Sequence, residues 1–416
     1  MARFPAMADV IVIGAGLAGL RCAGLLHAQG LDALVVDGDD GVGGRVRTDV
    51  VDGFRLDRGF QVLFDGYPEA RRALDMDALD LRAFQPGADI WWDGRMRTIA
   101  HPLRDPLSLP DVVRAGIGGP GDVSAAARWL LEAKPVQVAT APETTADERL
   151  RRLGFSDAVR ERFLRPLFAG VFLDPELGVS SHLLDQCFSQ MASGRTVVPA
   201  RGMGAIPEQL AARLPGGTVH LGARVEKVGK RSVTLAGGEK LRAKRAVVIA
   251  AGARDALGLA DLPVPQPRGS TCLWYAAAAP PAGRRIVLDG DGAGPVNHLA
   301  VMSEVAPTYA PAGQSLIGAC CVGLPTLDDA ALDDASRAQL AAWFGSPVHS
   351  WRLLRVDRIE HAQHAQPPGS IGGGAHWLKD GIVLAGDGTE NASIDGALRS
   401  GRRAADLVVA AALQSA

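Results

Sequence analysis

Three glycines near the N-terminus have the spacing that a protein backbone needs to hold a pyrophosphate. They stand at positions 14, 16 and 19 of the segment GAGLAG. In such a segment Gly14 allows the tight turn out of a strand, Gly16 lets the backbone approach the phosphates, and Gly19 lets the next helix pack against the sheet. Ala15 and Ala18 share this turn, and the free N–H groups at the start of the helix face the phosphates.

An acid and the elements around it fit the same purpose. Asp37 follows Gly14 by 23 residues, about the offset at which a carboxylate accepts hydrogen bonds from a ribose. The apolar run 10–13 predicts a buried parallel strand, the pattern up to Gln29 predicts a helix, and residues 33–36 predict a second strand. This order predicts a Rossmann-type dinucleotide-binding unit.

A second glycine pair follows the acid. The stretch GGRVRT covers residues 43–48, and GFRLDRGFQ covers residues 53–61. A dehydrogenase that binds only a nicotinamide cofactor has no need of a glycine pair and arginine at this place. The patterns G-G-R-x-x-T and G-x-x-x-D-x-G resemble those of the flavin-containing amine oxidase and phytoene desaturase superfamily, whose members are FAD-dependent oxidoreductases.

The resemblance implies a role for each residue of these two stretches. Gly43 and Gly44 would pass the backbone beside FAD, and Arg45 would face the pyrophosphate of the cofactor. The residues that the resemblance places near the isoalloxazine ring are Gly59, Phe60 and Gln61.

Segments far along the chain resemble the same superfamily. PARGMGAIP at 199–207 matches its P-x-x-G-M segment, and the apolar strand GIVLAGD at 381–387 precedes SIDGALRSG at 393–401. The resemblance implies that the last helix points its N–H groups at the flavin, stabilising the charge of the reduced ring. The residues that it places against FAD in the later part of the chain are Val225, Gly386, Asp387, Ser393, Ile394 and Ala397.

The fold expected from these patterns is α/β, with a Rossmann-type FAD-binding domain of the glutathione-reductase kind and an interleaved α+β substrate domain. We expect the FAD-binding domain to comprise residues 1–70, 195–255 and 355–416, and the substrate domain 71–194 and 256–354. Helices are predicted over 111–133 and 150–173, and a strand over Val219–Val225. The strands predicted to form the floor of the substrate cavity are Thr271–Ala277, Arg285–Leu288, His298–Val301 and Ser315–Val322.

The reaction expected is transfer of a hydride from a small, apolar organic substrate to FAD, of the desaturase, dehydrogenase or oxidase type. Residues 245–378 contain no lysine, although many amine oxidases of the superfamily use a flavin-proximal lysine from this region. An amine oxidase without that lysine and a non-redox flavin-dependent isomerase remain alternatives, and a non-enzymatic relative without flavin is disfavoured by the intact glycines. No catalytic residue is assigned. Candidate substrate contacts are Trp91, Trp92, Trp274, Tyr275, His361 and His364.

Composition limits the partners. The 416 residues carry a net charge of −2, which gives no reason to expect nucleic acid. The five scattered cysteines suggest reduced thiols in a cytoplasmic setting, with no metal site. None of them lies near the segments 381–387 and 393–401, so FAD should be bound non-covalently. No apolar run is long enough to span a membrane. No second nucleotide motif opens a helix, so the electrons should pass to oxygen, a quinone or another acceptor.

Overall fold

A computed structural model describes residues 4, 7–99, 116, 118–370 and 372–414 of the chain. Within these residues, a largely parallel first sheet carries the predicted dinucleotide-binding unit. Residues 10–13 are at most 5% exposed, because helices or loops cover both faces of this strand. The strands of this sheet run in the spatial order Val219–His220, Ala33–Val36, Ala8–Ile13, Lys240–Ile249, Ser232–Leu235 and Val225–Gly229, with Ile382–Leu384 beside the second half of Lys240–Ile249 and His376–Trp377 beside Ile382–Leu384. The predicted Rossmann-type unit is confirmed.

The strand predicted over Val219–Val225 is wrong as a single element. The chain leaves the sheet after His220 and begins a new strand at Val225. Gly222 has a φ of +67° and donates its N–H to the carbonyl of Asp39, while Ala223 donates to the carbonyl of Asp37. These bonds to the loop after the second strand turn the backbone out of the ladder.

A second, mainly antiparallel sheet has seven strands in the described residues. The strands predicted at His298–Val301 and Ser315–Val322 are confirmed, and the other two predictions differ only at their ends. In spatial order the strands are Arg352–His364, Pro267–Ala277, Ser315–Val322, His298–Val301, Ile286–Asp289, Ala88–Trp92 and Arg95–Ile99. The edge strand Arg352–His364 leads the chain back towards the first sheet.

Helices cover one end of the second sheet and both faces of the first. The predicted helix over 150–173 breaks at Gly154, whose φ is +87°, and continues with one π-helical stretch at Arg160–Leu164. The prediction over 111–133 is observed from residue 120 onward, and its beginning lies outside the described residues. The α-helices in the described part of the chain are Leu17–Ala28, Pro68–Ala73, Pro120–Glu132, Pro135–Thr140, Ala146–Leu153, Asp157–Val159, Arg165–Phe172, Ser181–Ser193, Ala205–Ala212, Ala253–Leu259, Met302–Val305, Asp329–Phe344 and Ile394–Gln414.

Asp57 holds several of the distant segments together. It ends the hairpin Thr48–Val51/Phe54–Asp57 and is fully buried. Its Oδ1 accepts from Thr48 Oγ1 at 2.5 Å and from the N–H of Met203 at 2.9 Å, and its Oδ2 accepts from Tyr309 at 2.9 Å. Burial raises the pKa of Asp57 to about 6 despite these bonds.

A smaller sheet joins Leu63–Phe64, Thr196–Pro199 and Leu81–Ala83.

Candidate functional site

A single large cavity of about 1900 Å³ opens between the two sheets and the helices of 120–193. Ala15 and Gly19 are the only members of the predicted cofactor set that do not line it, since both lie behind the wall that the glycine turn forms. The predicted residues that line the cavity are Gly14, Gly16, Ala18, Asp37, Gly43, Gly44, Arg45, Gly59, Phe60, Gln61, Val225, Gly386, Asp387, Ser393, Ile394 and Ala397.

The glycine turn is shaped by two close approaches and one open space. Gly14 has a φ of +106°, and a Cβ added there would lie 2.8 Å from the carbonyl oxygen of Ala250. A Cβ on Gly19 would lie 1.9 Å from the carbonyl oxygen of Gly14, so the helix can approach the strand only because this residue is glycine. Gly16, by contrast, has nothing within 4 Å of such a Cβ and faces the cavity. The turn therefore leaves room for a group that comes close to the backbone at Gly16.

Asp37 stabilises the glycine turn through hydrogen bonds. Its Oδ2 accepts the N–H of Ala15 at 2.5 Å, and its Oδ1 accepts the N–H of Asp39 at 2.8 Å. The carbonyl of Ala15 in turn accepts the N–H of Gly43 at 2.8 Å, which ties the first glycine segment to the second. A carboxylate has about four acceptor positions, so Asp37 keeps capacity for ribose hydroxyls.

Arg45 connects the two ends of the chain. Its guanidinium donates to Asp387 Oδ2 at 2.6 Å and to the carbonyl of Ala362 at 2.8 Å. Burial opposes the ionisation of Asp387, but Arg45 and His364 outweigh it and keep the pKa of Asp387 below its usual value. Burial and Arg45 lower the pKa of His364, whose Nδ1 lies 3.9 Å from Asp387 Oδ2. The result is a buried carboxylate held ionised beside a partly exposed guanidinium.

The last helix begins at the cavity. The Oγ of Ser393 accepts the N–H of Gly396 at 2.9 Å, as an N-cap residue does. Asp395 accepts from the N–H groups of Glu69 and Ala70 at 2.8 and 3.3 Å, so the first turn of this helix is fixed to Pro68–Ala73. The helix end and its unpaired N–H groups are thereby held against the space beside Ile394.

The other half of the cavity is an apolar chamber that the sequence analysis did not assign. We call this region, which is lined by residues of 120–193, the helical chamber. Its acidic side chain is Asp122, which already accepts hydrogen bonds from the N–H of Gly119 and from the N–H and O–H of Ser156. Within the described residues, neither lysine nor arginine of 120–193 lines it. The apolar period through 163–168 was visible in the sequence, but nothing there showed which face of the helix would be covered. The larger side chains of the helical chamber are Trp129, Leu130, Phe155, Phe163, Leu167, Phe168, Phe172, Leu183, Phe188 and Met191.

The aromatic substrate contacts suggested by the sequence are wrong. Trp91, Trp92, Trp274 and Tyr275 do not line the cavity. Trp274 and Tyr275 are fully buried on opposite faces of their strand. Trp274 donates a hydrogen bond to Asp357, and Tyr275 donates one to Asp333. Trp92 packs under the guanidinium groups of Arg97 and Arg162. His361 and His364 do line the cavity, and their contact with a substrate stays a prediction.

The six lysines all lie in the described part of the chain, and none lines the cavity. Cys187 does line it, and burial raises the pKa of this thiol to about 12. In the described residues, no group of three or more His, Cys, Asp or Glu side chains is placed to hold a metal ion. No helix of the described part is long and apolar enough to cross a membrane.

A glycine turn on a parallel sheet, an acid at the end of the second strand and a closing helix directed at the same cavity define a dinucleotide-binding oxidoreductase. The chain belongs to the flavin-containing amine oxidoreductase family, whose sequence profile matches residues 17–409. It is therefore a flavin-dependent oxidoreductase, and its cofactor is FAD.

Known proteins resemble the chain to different extents. It is 29% identical to hydroxysqualene dehydroxylase of Rhodopseudomonas palustris over 97% of this chain and 98% of that protein. It is 27% identical to chloroplastic protoporphyrinogen oxidase of Nicotiana tabacum over 39% of this chain, a match that spans only 29% of the tobacco protein. The crystal structure of an oxidoreductase from Methanosarcina mazei has a TM-score of 0.74 at 17% identity, covering 95% of this chain and 99% of that one. The last likeness concerns the fold alone.

Proposed function

We propose that the enzyme transfers a hydride from an apolar substrate, held in the helical chamber, to FAD held by the glycine turn, Asp37, Arg45 and the start of the last helix. The observation that carries this proposal is the size and division of the cavity. Its volume is about 1900 Å³, whereas pockets for one small ligand usually measure about 300–1,000 Å³. There is room for FAD in the polar half and for a second molecule in the apolar half.

The residues present suit the cofactor. The open space at Gly16 accepts a group close to the backbone, and Asp37 retains free acceptor positions. Arg45 and the N-terminus of the last helix bring positive charge to the cavity, which favours phosphates and a reduced, anionic ring. When bound, FAD supplies a two-electron acceptor for hydride.

The chain's own contribution to the reaction is orientation and exclusion of water. The aromatic and aliphatic side chains of the helical chamber bury an apolar molecule and gain about 25 cal/mol for each Å² removed from water. Hydride transfer demands little beyond a correctly placed C–H bond, so a rigid apolar wall can suffice. The absence of lysine from the cavity wall favours this reading over an amine oxidase that depends on such a residue.

Anaerobic bleaching of the flavin tests the proposal. Purified holoenzyme is mixed with long-chain polyenes, with primary amines and with porphyrinogens, and the visible spectrum is followed before and after air is admitted. We expect bleaching by an apolar compound, and the response to air tells whether oxygen accepts the electrons. Bleaching by amines alone would contradict the proposal and favour an amine oxidase, and product rearrangement without bleaching would favour an isomerase.

Two neighbouring leucines provide a matched pair of variants. Leu130 lines the helical chamber, whereas Leu131 is 64% exposed. Leu130→Arg places a charge in the chamber and should reduce bleaching by the apolar compound at least tenfold with FAD content unchanged. Leu131→Arg should leave it unchanged. Equal activity of the two variants would show that the substrate lies elsewhere.

A further inference from the structure

His298 occupies the junction between the flavin segment and the helical chamber. It begins a strand of the second sheet, lines the cavity and is only 5% exposed. Its ring packs edge-on against Phe60 with centroids 5.1 Å apart. On the chamber side it meets Gly170, where an added Cβ would lie 3.0 Å from Nδ1.

The neighbouring amide fixes the tautomer of this histidine. Asn297 Nδ2 lies 2.9 Å from the carbonyl oxygen of Pro166, which can only accept, so this atom is the amide nitrogen. The same nitrogen lies 3.1 Å from His298 Nδ1 and donates to it. Since Nδ1 accepts, the ring proton of the neutral imidazole is on Nε2.

The Nε2–H group of His298 is buried and has no hydrogen-bond partner within the described residues. Cys320 stands opposite His298 on the next strand and interacts with it; its thiol donates to Cys272 Sγ at 3.5 Å, and its sulfur remains the competing acceptor for Nε2–H. An unsatisfied buried donor carries a free-energy penalty, and in native proteins such a group usually meets a ligand or water. The acceptor of Nε2–H is therefore either the Cys320 sulfur or a ligand in the cavity, and removing the thiol distinguishes the two.

We propose that His298 Nε2–H donates a hydrogen bond to an oxygen atom of the substrate, so that the enzyme selects apolar molecules with a neutral hydroxyl or carbonyl group near the flavin. This inference rests on the proposed function, because it places the substrate in the helical chamber. An ammonium group offers nothing to accept this bond. A carboxylate would accept it, but no lysine or arginine of 120–193 would neutralise its charge in the described chamber. A neutral oxygen fits both conditions.

Two ligands that differ by one group test this inference. Decanol and undecane have the same shape, with a hydroxyl in one where the other has a methyl group. Their dissociation constants are measured from the change in flavin absorbance of the holoenzyme. Because undecane leaves water more readily, the informative quantity is the ratio of the two affinities and its change between variants.

His298→Phe should shift this ratio about tenfold towards undecane, the effect of one lost hydrogen bond. His298→Gln retains an amide donor and should keep the ratio within about threefold of the wild-type value. His182→Phe is the matched control: His182 also lines the cavity, but its Nε2 already lies 3.1 Å from the carbonyl of Ala141. Cys320→Ala should likewise leave the ratio unchanged.

The outcomes separate the two proposals. If both ligands bind and His298→Phe leaves their ratio unchanged, the role of His298 is refuted while the apolar chamber stands. A shift of the ratio in Cys320→Ala equal to that in His298→Phe would show that the thiol holds Nε2, and would also overturn the inference. If neither ligand binds the wild-type holoenzyme, the apolar substrate itself is refuted. If His298→Phe does not fold, the ratio in His298→Gln decides, since a shift of tenfold or more there contradicts a donor role.

Discussion

Replacing Gly16 with alanine should weaken FAD binding without destabilising the apoprotein. Gly16 has φ −75° and ψ −179°, which alanine adopts freely, and an added Cβ meets nothing within 4 Å. The free energy of unfolding of the apoprotein should therefore stay equal or rise by about 0.4–1 kcal/mol, because alanine restricts the unfolded chain. The same methyl group points into the space of the pyrophosphate. Overpacking of about 1–3 kcal/mol would weaken FAD roughly 5- to 150-fold.

Two other glycines of the same helix serve as references. In Gly19→Ala the Cβ would lie 1.9 Å from the Gly14 carbonyl, a backbone atom that cannot rotate away, so the apoprotein itself should lose about 1–3 kcal/mol or more. In Gly24→Ala the nearest atom is Leu214 Cδ2 at 3.7 Å, an ordinary contact, and the helix should gain about 0.5–1 kcal/mol.

Denaturant unfolding of each apoprotein and titration with FAD, followed by quenching of flavin fluorescence, separate these effects. Gly16→Ala should lose affinity alone, Gly19→Ala should lose stability, and Gly24→Ala should lose neither. Wild-type affinity of Gly16→Ala for FAD would refute the assignment of the turn to the pyrophosphate. A strongly destabilised Gly16→Ala apoprotein would show that the space at this residue is not open.

Further changes test the remaining assignments. Asp37→Ala removes charge-assisted hydrogen bonds to ribose worth about 1.5–3 kcal/mol and should weaken FAD roughly 10- to 150-fold in a titration of the apoprotein, whereas unchanged affinity would mean that the acid is misassigned. Acid should release the flavin intact, in wild type and Cys187→Ser alike, and yellow colour in the precipitate would contradict this. In the variants Lys134→Met and Lys379→Met, the substrate should reduce the flavin at a rate within a few-fold of wild type, because neither side chain lines the cavity. A hundredfold lower rate, about 2.7 kcal/mol of barrier, would favour an amine oxidase again. Asp57 has its pKa raised to about 6 in the folded state, so the unfolded state ionises first and about 2 kcal/mol of stability should be lost as the pH rises from 4 to 6. Asp57→Asn should lack this loss in unfolding experiments across that range, and parallel curves for the two proteins would refute the buried acid as its source.

The sequence predicted the glycine turn of the first sheet well because the geometry of this turn is local. The positive φ of Gly14 and the contact between Gly19 and the Gly14 carbonyl are demands that only glycine meets, so the residue types themselves report the turn. The strand over Val219–Val225 failed for the complementary reason. Its interruption at Gly222 depends on bonds to the loop after Asp37, which no local pattern contains.

The helical chamber and the second sheet were harder to predict, because a strand that is buried on both faces does not show an alternation of apolar and polar residues. Trp274 faces one core and Tyr275 the other, so both looked equally available for a ligand and both are packing residues. Conversely, the apolar face of Arg165–Phe172 looks like any core-facing helix, although part of it borders the cavity. Which apolar surface remains uncovered is decided by the arrangement of whole elements.

The ion pair between Arg45 and Asp387 joins residues that are 342 positions apart. A ribosome therefore makes one side of the proposed nucleotide site early in synthesis and the other only 342 residues later. Until Ile382–Leu384 enters the first sheet and Ile394–Gln414 packs against the first helix, the nascent chain has neither its last parallel strand nor the positive helix end. Domains generally fold as units during synthesis, and this one cannot close before residues 382–414 have been made. FAD should accordingly bind only after these segments have been synthesised, and a chain cut before residue 380 should stay colourless at any concentration of FAD.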